Sequence, residues 1–257
     1  MKAFWSALFW TWVIVWGMAC AVVSLALLPI TLLDPKRRAA AFCSGLWSFG
    51  VLLGIPRVRV TYVGAEKLPK DRAFLIVANH ASVSDVIFWL KLWPMATTVA
   101  KPGLFRIPVF GLHCRAAGYI QAGRGEEGAL GRVVDGVTRA LRLGRSVVTF
   151  PEGTRTDDGT VGKFHSALFS MAQMTGSPIV PVAISGTRGV IPKGTWHYTF
   201  SARVVVEVLD PMVPTPDESA RALARTARAR VVDALARHHA TNGAPDAAVA
   251  PVVGHAG

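Results

Sequence analysis

The sequence predicts an α/β fold with a mostly parallel central sheet flanked by helices, preceded by an N-terminal apolar, membrane-associated helical segment. Three observations carry that expectation. Short, continuous apolar runs such as AFLIVAN (73–79) and SVVTF (146–150) suit strands buried on both faces, the usual state in a parallel sheet. Stretches of helical periodicity lie between such runs, so strands and helices alternate. Ahead of them, residues 3–33 carry no charge, which is longer than the ~20 residues that span hydrocarbon.

Within that first segment, Trp5, Trp10, Trp12 and Trp16 crowd the first half, and Trp favours the membrane interface. Pro29 and the Asp34-Pro35 pair break the helix. Lys36, Arg37 and Arg38 follow, and a second apolar stretch covers 39–55. A signal peptide fits poorly, because Lys2 is the sole early charge and the apolar run is too long. The tetrapeptide GMAC, ending at Cys20, resembles a lipoprotein box only weakly. Two placements remain open. One is a single span of the cell inner membrane, with the three basic residues holding the C-terminal side in the cytoplasm. The other is a pair of helices lying in one leaflet.

The globular part begins near Arg57. RVRVTYVG (57–64) alternates like a strand, and AFLIVAN follows. DVIFWLKLW (85–93) reads as a helix, and ATTVAK (96–101) and GYIQAG (118–123) as short strands. Residues 126–144 form a helix with Leu130, Val133, Val134, Val137 and Leu141 in one stripe, closed by Gly144. SVVTF is a strand, SALFSMAQMTG (166–176) a helix ended by Gly176, and PIVPVAIS (178–185) and ARVVVEVL (202–209) are strands. Thr215-Pro216-Asp217-Glu218 reads as a capping box opening a helix that runs to about His238. That helix turns Leu223, Ala227, Val231 and Leu235 inward and Arg221, Arg225, Arg228 and Arg237 outward. The chain from about Ala240 is rich in Ala, Gly, Pro and Val and reads as disordered. Three parts result: a membrane-associated helical segment (1–56), an α/β domain (57–239) and a tail (240–257).

Composition narrows the partners. Of 257 residues 51% are hydrophobic and 17% charged, yet the net charge is +12; mean hydropathy is +0.38 and the pI near 10.4. Apolar and basic together point to an anionic membrane surface. Nucleic acid is the competing reading of the charge. The basic residues are dispersed, however, with no run longer than 36–38, and no nucleic-acid motif occurs, so no nucleic-acid partner is expected. Cys20, Cys43 and Cys114 lie far apart without a C-x-x-C. They support neither a zinc site nor a disulfide framework, and they fit a reducing compartment.

Two stretches carry chemistry. In VANHASVSDVIF (77–88), His80 and Asp85 stand five residues apart. In one helix that step turns by about 140°, pointing the side chains apart. They meet only if His80 sits in the turn after the strand and Asp85 near the start of the next helix, with Ser82 and Ser84 as N-cap candidates. Asp85 then accepts a hydrogen bond from one ring nitrogen, leaving the other to take a proton. A structural His beside a capping Asp is the bland alternative. FPEGTR (150–155) follows a buried strand, where α/β proteins bind ligands. Gly153 lets the backbone approach a ligand. Arg155 offers a fork of donors matched to phosphate or carboxylate. Glu152 either fixes Arg155 or receives a substrate hydroxyl. On its own this stretch also reads as a capped turn with a surface ion pair.

Together the stretches resemble the glycerolipid acyltransferases, the family of the 1-acylglycerol-3-phosphate acyltransferases. NHASVSD resembles the Asn-His-x-x-x-x-Asp block, and FPEGTR matches the Phe-Pro-Glu-Gly-Thr-Arg block throughout. KPGLFRIPVFG (101–111), GYIQAGR (118–124) and IVPVAISG (179–186) resemble the remaining segments, in order. The chain departs from the pattern at Gly103, at Gly123 and at Phe164-His165-Ser166-Ala167. The resemblance implies acyl transfer from a thioester on coenzyme A or acyl carrier protein to a lysophospholipid hydroxyl. His80 is then general base and Asp85 its orienting partner. Arg124 and Arg155 hold the acceptor's phosphate, and Lys101, Glu152, Gly153 and Thr154 support substrate binding. No metal and no bound cofactor is implied. The rival readings are acylation of another lyso-lipid, such as a lyso-aminolipid, and non-catalytic binding of anionic lipid.

Overall fold

The computed structural model describes residues 2–55, 57–123, 129–155, 159–191, 195–198 and 201–242. The fully apolar runs take the middle of the sheet. β2 (Leu75–Ala78), β5 (Val147–Thr149) and β6 (Ile179–Ser185) are buried at every residue. The alternating run forms the edge strand β1 (Val58–Val63), exposed at every second residue. With β3 (Thr97–Ala100), β4 (Ile120–Gln121) and β7 (Ala202–Val208) they build a seven-stranded sheet of order β1-β7-β6-β2-β5-β3-β4. Every neighbouring pair is parallel except β6 with β7.

The pleat of β2 divides the core. Ile76 and Ala78 face one side, with Phe88 and Trp89 of α4 (Asp85–Leu92). Leu75 and Val77 face the other, with Val137 and Leu141 of α6 (Ala129–Arg142), Phe169 of α7 (Ala167–Thr175) and Leu223 of α8 (Ala220–Asn242). Each fully buried Val, Leu, Ile or Phe among them contributes about 1.5–3 kcal/mol.

Several local expectations need correction. The α6 stripe starts late: Leu130 is 64% exposed. Ile120 of the two-residue edge strand meets the helix at Gly136, so the first turn overhangs the sheet. Thr215 does not cap α8. Its carbonyl closes a turn with the Glu218 N–H, and Ser219 Oγ accepts the Ala222 N–H at 3.1 Å instead. Arg228 turns back rather than outward, donating from Nε to Gly162 O and from Nη2 to Val161 O at 2.8 and 2.6 Å. The inward face of α8, from Leu223 to Leu235, is buried as expected. α8 continues to Asn242, so the expected tail is helical at its start; residues 243–257 lie outside the described residues.

The N-terminal segment forms α1 (Lys2–Ala26), α2 (Leu28–Leu33) and α3 (Arg38–Leu53). Pro29 falls in the first turn of α2, and Asp34 accepts the Lys36 and Arg38 N–H groups in the turn before α3. α1 and α3 pack closely: the Trp12 and Trp16 indoles donate to Gly50 O and Leu46 O. A Cβ on Gly50 would fall inside the Trp16 ring. Small hydroxyl residues tie this hairpin to the α/β domain. Ser6 Oγ accepts the Tyr198 N–H at 3.1 Å, and Ser48 Oγ donates to Ile87 O at 2.6 Å. The His113 ring of α5 (Phe110–Ala116) sits between Ser24 Oγ (2.8 Å) and Ser44 Oγ (3.0 Å). The Arg37 and Arg145 guanidinium groups donate to the last carbonyls of α5 and to Ala117 O, where a helix end needs donors.

α1 is the one described helix long and apolar enough to cross a membrane. Its outer side exposes Phe4, Trp5, Leu8, Trp12, Ile14, Val15, Val22 and Val23, and α3 adds Phe42, Phe49 and Leu53. A contiguous apolar face of this kind marks a membrane-associated surface.

The loop into α5 is strained. Val109 has φ 61° and ψ −55°, and the Phe110 N–H reaches Pro108 O at 2.6 Å, closing a γ-turn. A β-branched residue there costs about 1–3 kcal/mol and persists only where neighbours impose it.

Candidate active site

The carboxyl ends of β2, β5 and β3 deliver the site. Asn79 ends β2 by imitating a strand partner: its amide donates to Ile184 O and accepts the Ile184 N–H at 2.9 and 2.8 Å. The backbone is thereby free to leave the sheet at His80. Further along the loop, Ser82 and Ser84 anchor it rather than cap α4 through their side chains. Ser82 Oγ donates to Ile191 O, and Ser84 Oγ lies within reach of Ser82 Oγ and Thr187 O.

His80 and Asp85 meet in the strand–turn–helix geometry that their spacing requires. His80 Nδ1 lies 2.8 Å from Asp85 Oδ2. The same oxygen accepts the Ala81 and Ser82 N–H groups at 2.8 and 2.9 Å. Asp85 is fully buried, at the first residue of α4, where the helix end favours a negative group. An oxygen that already accepts two backbone N–H groups is placed as an acceptor, so His80 Nδ1 is the donor of this pair. In the neutral ring that tautomer leaves the lone pair on Nε2. The ring remains 19% exposed and stacks on Phe150 at 4.2 Å between centroids.

Glu152 reaches two loops. Its Oε1 accepts the His80 N–H at 2.8 Å and its Oε2 the Gly162 N–H at 2.7 Å. Each oxygen is thus engaged by backbone, and the carboxylate braces the two loops. Burial pushes its pKa up, and the two N–H groups oppose that shift. Gly162 is held in turn by Arg228 through its carbonyl, so the brace extends to α8.

Gly153 adopts φ +70°, the left-handed region that glycine enters without strain. Thr154 is exposed and Arg155 half-buried, directly after it. Lys101 is exposed at the carboxyl end of β3, on the same edge of the sheet. Arg124 lies outside the described residues. Beside the loop, the His165 ring comes within 3.8 Å of where a Cβ on Gly153 would stand. Sequence reasoning met His165 only as a departure from a motif. The Gly162 contact carried no sequence signal, because it joins two loops through main chain. Cys20, Cys43 and Cys114 are buried thiols, and no metal-binding cluster of His, Cys, Asp and Glu occurs among the described residues.

An imidazole oriented by a buried carboxylate at this edge of the sheet is equipped to take a proton from a hydroxyl. The family model described as Acyltransferase matches residues 59–185, which include His80, Asp85 and the 150–155 loop. Residues 59–185 are thus similar to that family. The α/β domain and its helical hairpin together resemble a crystal structure of the 1-acyl-sn-glycerophosphate (LPA) acyltransferase PlsC from Thermotoga maritima. That likeness has a TM-score of 0.72 and 25% identity, covering 93% of this chain and 98% of that one. The chain is 29% identical over 208 residues to the chloroplastic 1-acyl-sn-glycerol-3-phosphate acyltransferase LPAT1 of Arabidopsis thaliana, covering 80% of this chain and 57% of that protein. It is 28% identical over 245 residues to a 1-acyl-sn-glycerol-3-phosphate acyltransferase of Chlamydomonas reinhardtii, covering 93% and 73%. Against the chloroplastic BAT2 of Brassica napus, also a 1-acyl-sn-glycerol-3-phosphate acyltransferase, it is 33% identical over 164 residues, covering 62% and 46%. The chain thus spans between about half and three quarters of these relatives' length.

Proposed function

We propose that this protein is a membrane-associated acyltransferase that moves a fatty acyl group from a thioester to the free hydroxyl of 1-acylglycerol-3-phosphate, giving phosphatidic acid. The observation that carries the reading is the His80–Asp85 pair, with Nε2 left to accept a proton at the carboxyl edge of an acyltransferase domain. The relatives' names supply the substrate.

In this mechanism His80 Nε2 takes the proton of the acceptor hydroxyl while its oxygen attacks the thioester carbonyl. Asp85 steadies the imidazolium that forms. The tetrahedral intermediate collapses and expels the thiolate, which recovers the proton from His80. The enzyme supplies no nucleophile of its own. Arg155 and Arg124 hold the phosphate through charge-assisted bonds, and Lys101 adds a third cation. Gly153 and Thr154 shape the loop that carries Arg155. Glu152 holds His80 in register through its backbone N–H. The chemistry requires neither metal nor bound cofactor; the thioester, on coenzyme A or acyl carrier protein, is a co-substrate.

The protein sits on the cytoplasmic side of the inner membrane, its hairpin lying in one leaflet. Supporting this, both ends of α1 contact the α/β domain, at Ser6 and at Ser24. Those contacts are about 27 Å apart along the axis. A helix crossing the bilayer would carry one end away from the domain.

The phosphate assignment is tested by the Michaelis constants of Arg155→Ala. Losing a charge-assisted contact of about 1.5–3 kcal/mol raises the acceptor's constant roughly tenfold or more. The thioester's constant changes much less, and Arg155→Lys recovers only part. An unchanged acceptor constant, or equal turnover of a phosphate-free lyso-lipid, moves the acceptor to the lyso-aminolipid class.

A further inference from the structure

Between β3 and α5 the chain builds an apolar knob that the catalytic account does not use. Leu104, Ile107 and Leu112 are 38%, 46% and 52% exposed, while Phe105 is buried beneath them. The knob is pre-formed. The strained turn at Val109 is held by the Gly111 N–H to Ile107 O at 2.7 Å. Arg115 Nη1 donates to both Phe105 O and Gly111 O, at 3.1 and 3.2 Å. A Cβ on Gly111 would overlap the Phe105 carbonyl, so the turn packs without room for a side chain there. Strain of this kind is retained where a fixed shape is used.

Its position gives the shape a use. The knob leaves the sheet at Lys101, on the edge from which the His80 and Arg155 loops also leave. Its far end is pinned to α1 and α3 by His113. It therefore links the hairpin to the rim of the site. The charge along this stretch of chain has one sign. From residue 86 to residue 123 there is no Asp or Glu, while Lys91, Lys101, Arg106 and Arg115 all occur and are exposed. An exposed apolar segment that carries only basic residues suits an anionic lipid surface.

We propose that residues 102–112 form a second membrane-inserted element, a lip whose Leu104, Ile107 and Leu112 enter the same leaflet as the hairpin and bring the site's rim to the lipid. The insertion stands without any assumption about the reaction. Its consequence for turnover rests on the acyltransferase reading above.

The test places an environment-sensitive fluorophore on Ile107→Cys in the full-length protein. The native thiols are buried, so labelling is directed to the new one. Equivalent probes go on Val15→Cys of the hairpin's exposed side and on Ala236→Cys of α8, also exposed. The proteins are mixed with phosphatidylcholine–phosphatidylglycerol vesicles carrying nitroxides on the acyl chains. The lip predicts quenching at position 107 comparable to position 15, and none at 236. A probe at 107 that stays in water, as at 236, overturns the lip. Protection at 107 that follows protein concentration without vesicles also overturns it, in favour of a second copy of the chain. A companion variant, Ile107→Asp with Leu112→Asp, lowers turnover of vesicle-embedded lysophosphatidic acid by about tenfold or more and spares a short-chain, water-soluble acceptor. Equal turnover of both acceptors contradicts the proposal. Quenching at 107 in a wild-type protein that acylates neither acceptor would retire the acyltransferase reading and leave the lip standing.

Discussion

Asp85 Oδ2 takes three donors, and only one belongs to His80. The other two fix the carboxylate to the backbone, so the ring is held by something that cannot itself turn. The five-residue spacing made this legible in the sequence, because it excludes a continuous helix and requires a strand–turn–helix. Glu152 was not legible in the same way. Its motif marks it as functional, but its partners are N–H groups of residues 80 and 162, which no side-chain pattern reveals. The two roles separate experimentally. Glu152→Gln leaves one backbone N–H facing an amide donor, a cost of about 1–3 kcal/mol at a buried group. It is expected to lower kcat and melting temperature while leaving the acceptor's KM nearly unchanged. A rise in that KM with unaltered kcat would assign Glu152 to direct substrate binding.

At the scale of elements, the hairpin shows what hydropathy hides. In sequence nothing sets Ser6, Ser24, Ser44 and Ser48 apart within their apolar stretches. All four bond directly to the α/β domain, Ser24 and Ser44 both to the His113 ring and Ser44 also to the Tyr119 hydroxyl. Burial pushes the His113 imidazole down to about 4. Its unfolded counterpart titrates near 6.5. The unfolded chain thus binds the proton first, so the stability His113 contributes is intact above about pH 6.5 and is lost as pH falls toward 4. The melting temperature of the wild type should fall more steeply between about pH 7 and pH 5 than that of His113→Gln. Parallel curves would mean that the hairpin is not pinned through this ring. Gly50→Ala is expected to destabilise by 1–3 kcal/mol or more, since the methyl meets the Trp16 indole. A thermal unfolding curve unchanged by that methyl would show α1 and α3 to be loosely apposed.

Across the whole molecule, the alternation of apolar runs with helical periods was enough to foresee a mostly parallel sheet, and the buried runs at 75–78, 147–149 and 179–185 sit at its centre. The antiparallel β6–β7 pair was not foreseeable, because strand direction leaves no mark on residue pattern. Nor was the choice between a spanning and a leaflet-bound hairpin, since it depends on where both ends of α1 dock. The central claim joins these scales: a sheet edge carries an oriented imidazole to a membrane surface, where it deprotonates a lysophospholipid. The most direct measurement incubates the purified full-length protein with lysophosphatidic acid and an acyl thioester and follows phosphatidic acid by mass. The wild type should form it. Folded His80→Ala should lose about 10²–10⁴-fold or more, and Asp85→Asn should lose less but still heavily, because an amide can turn the ring to the wrong tautomer. Near-normal phosphatidic acid formation by a folded His80→Ala variant would contradict the account.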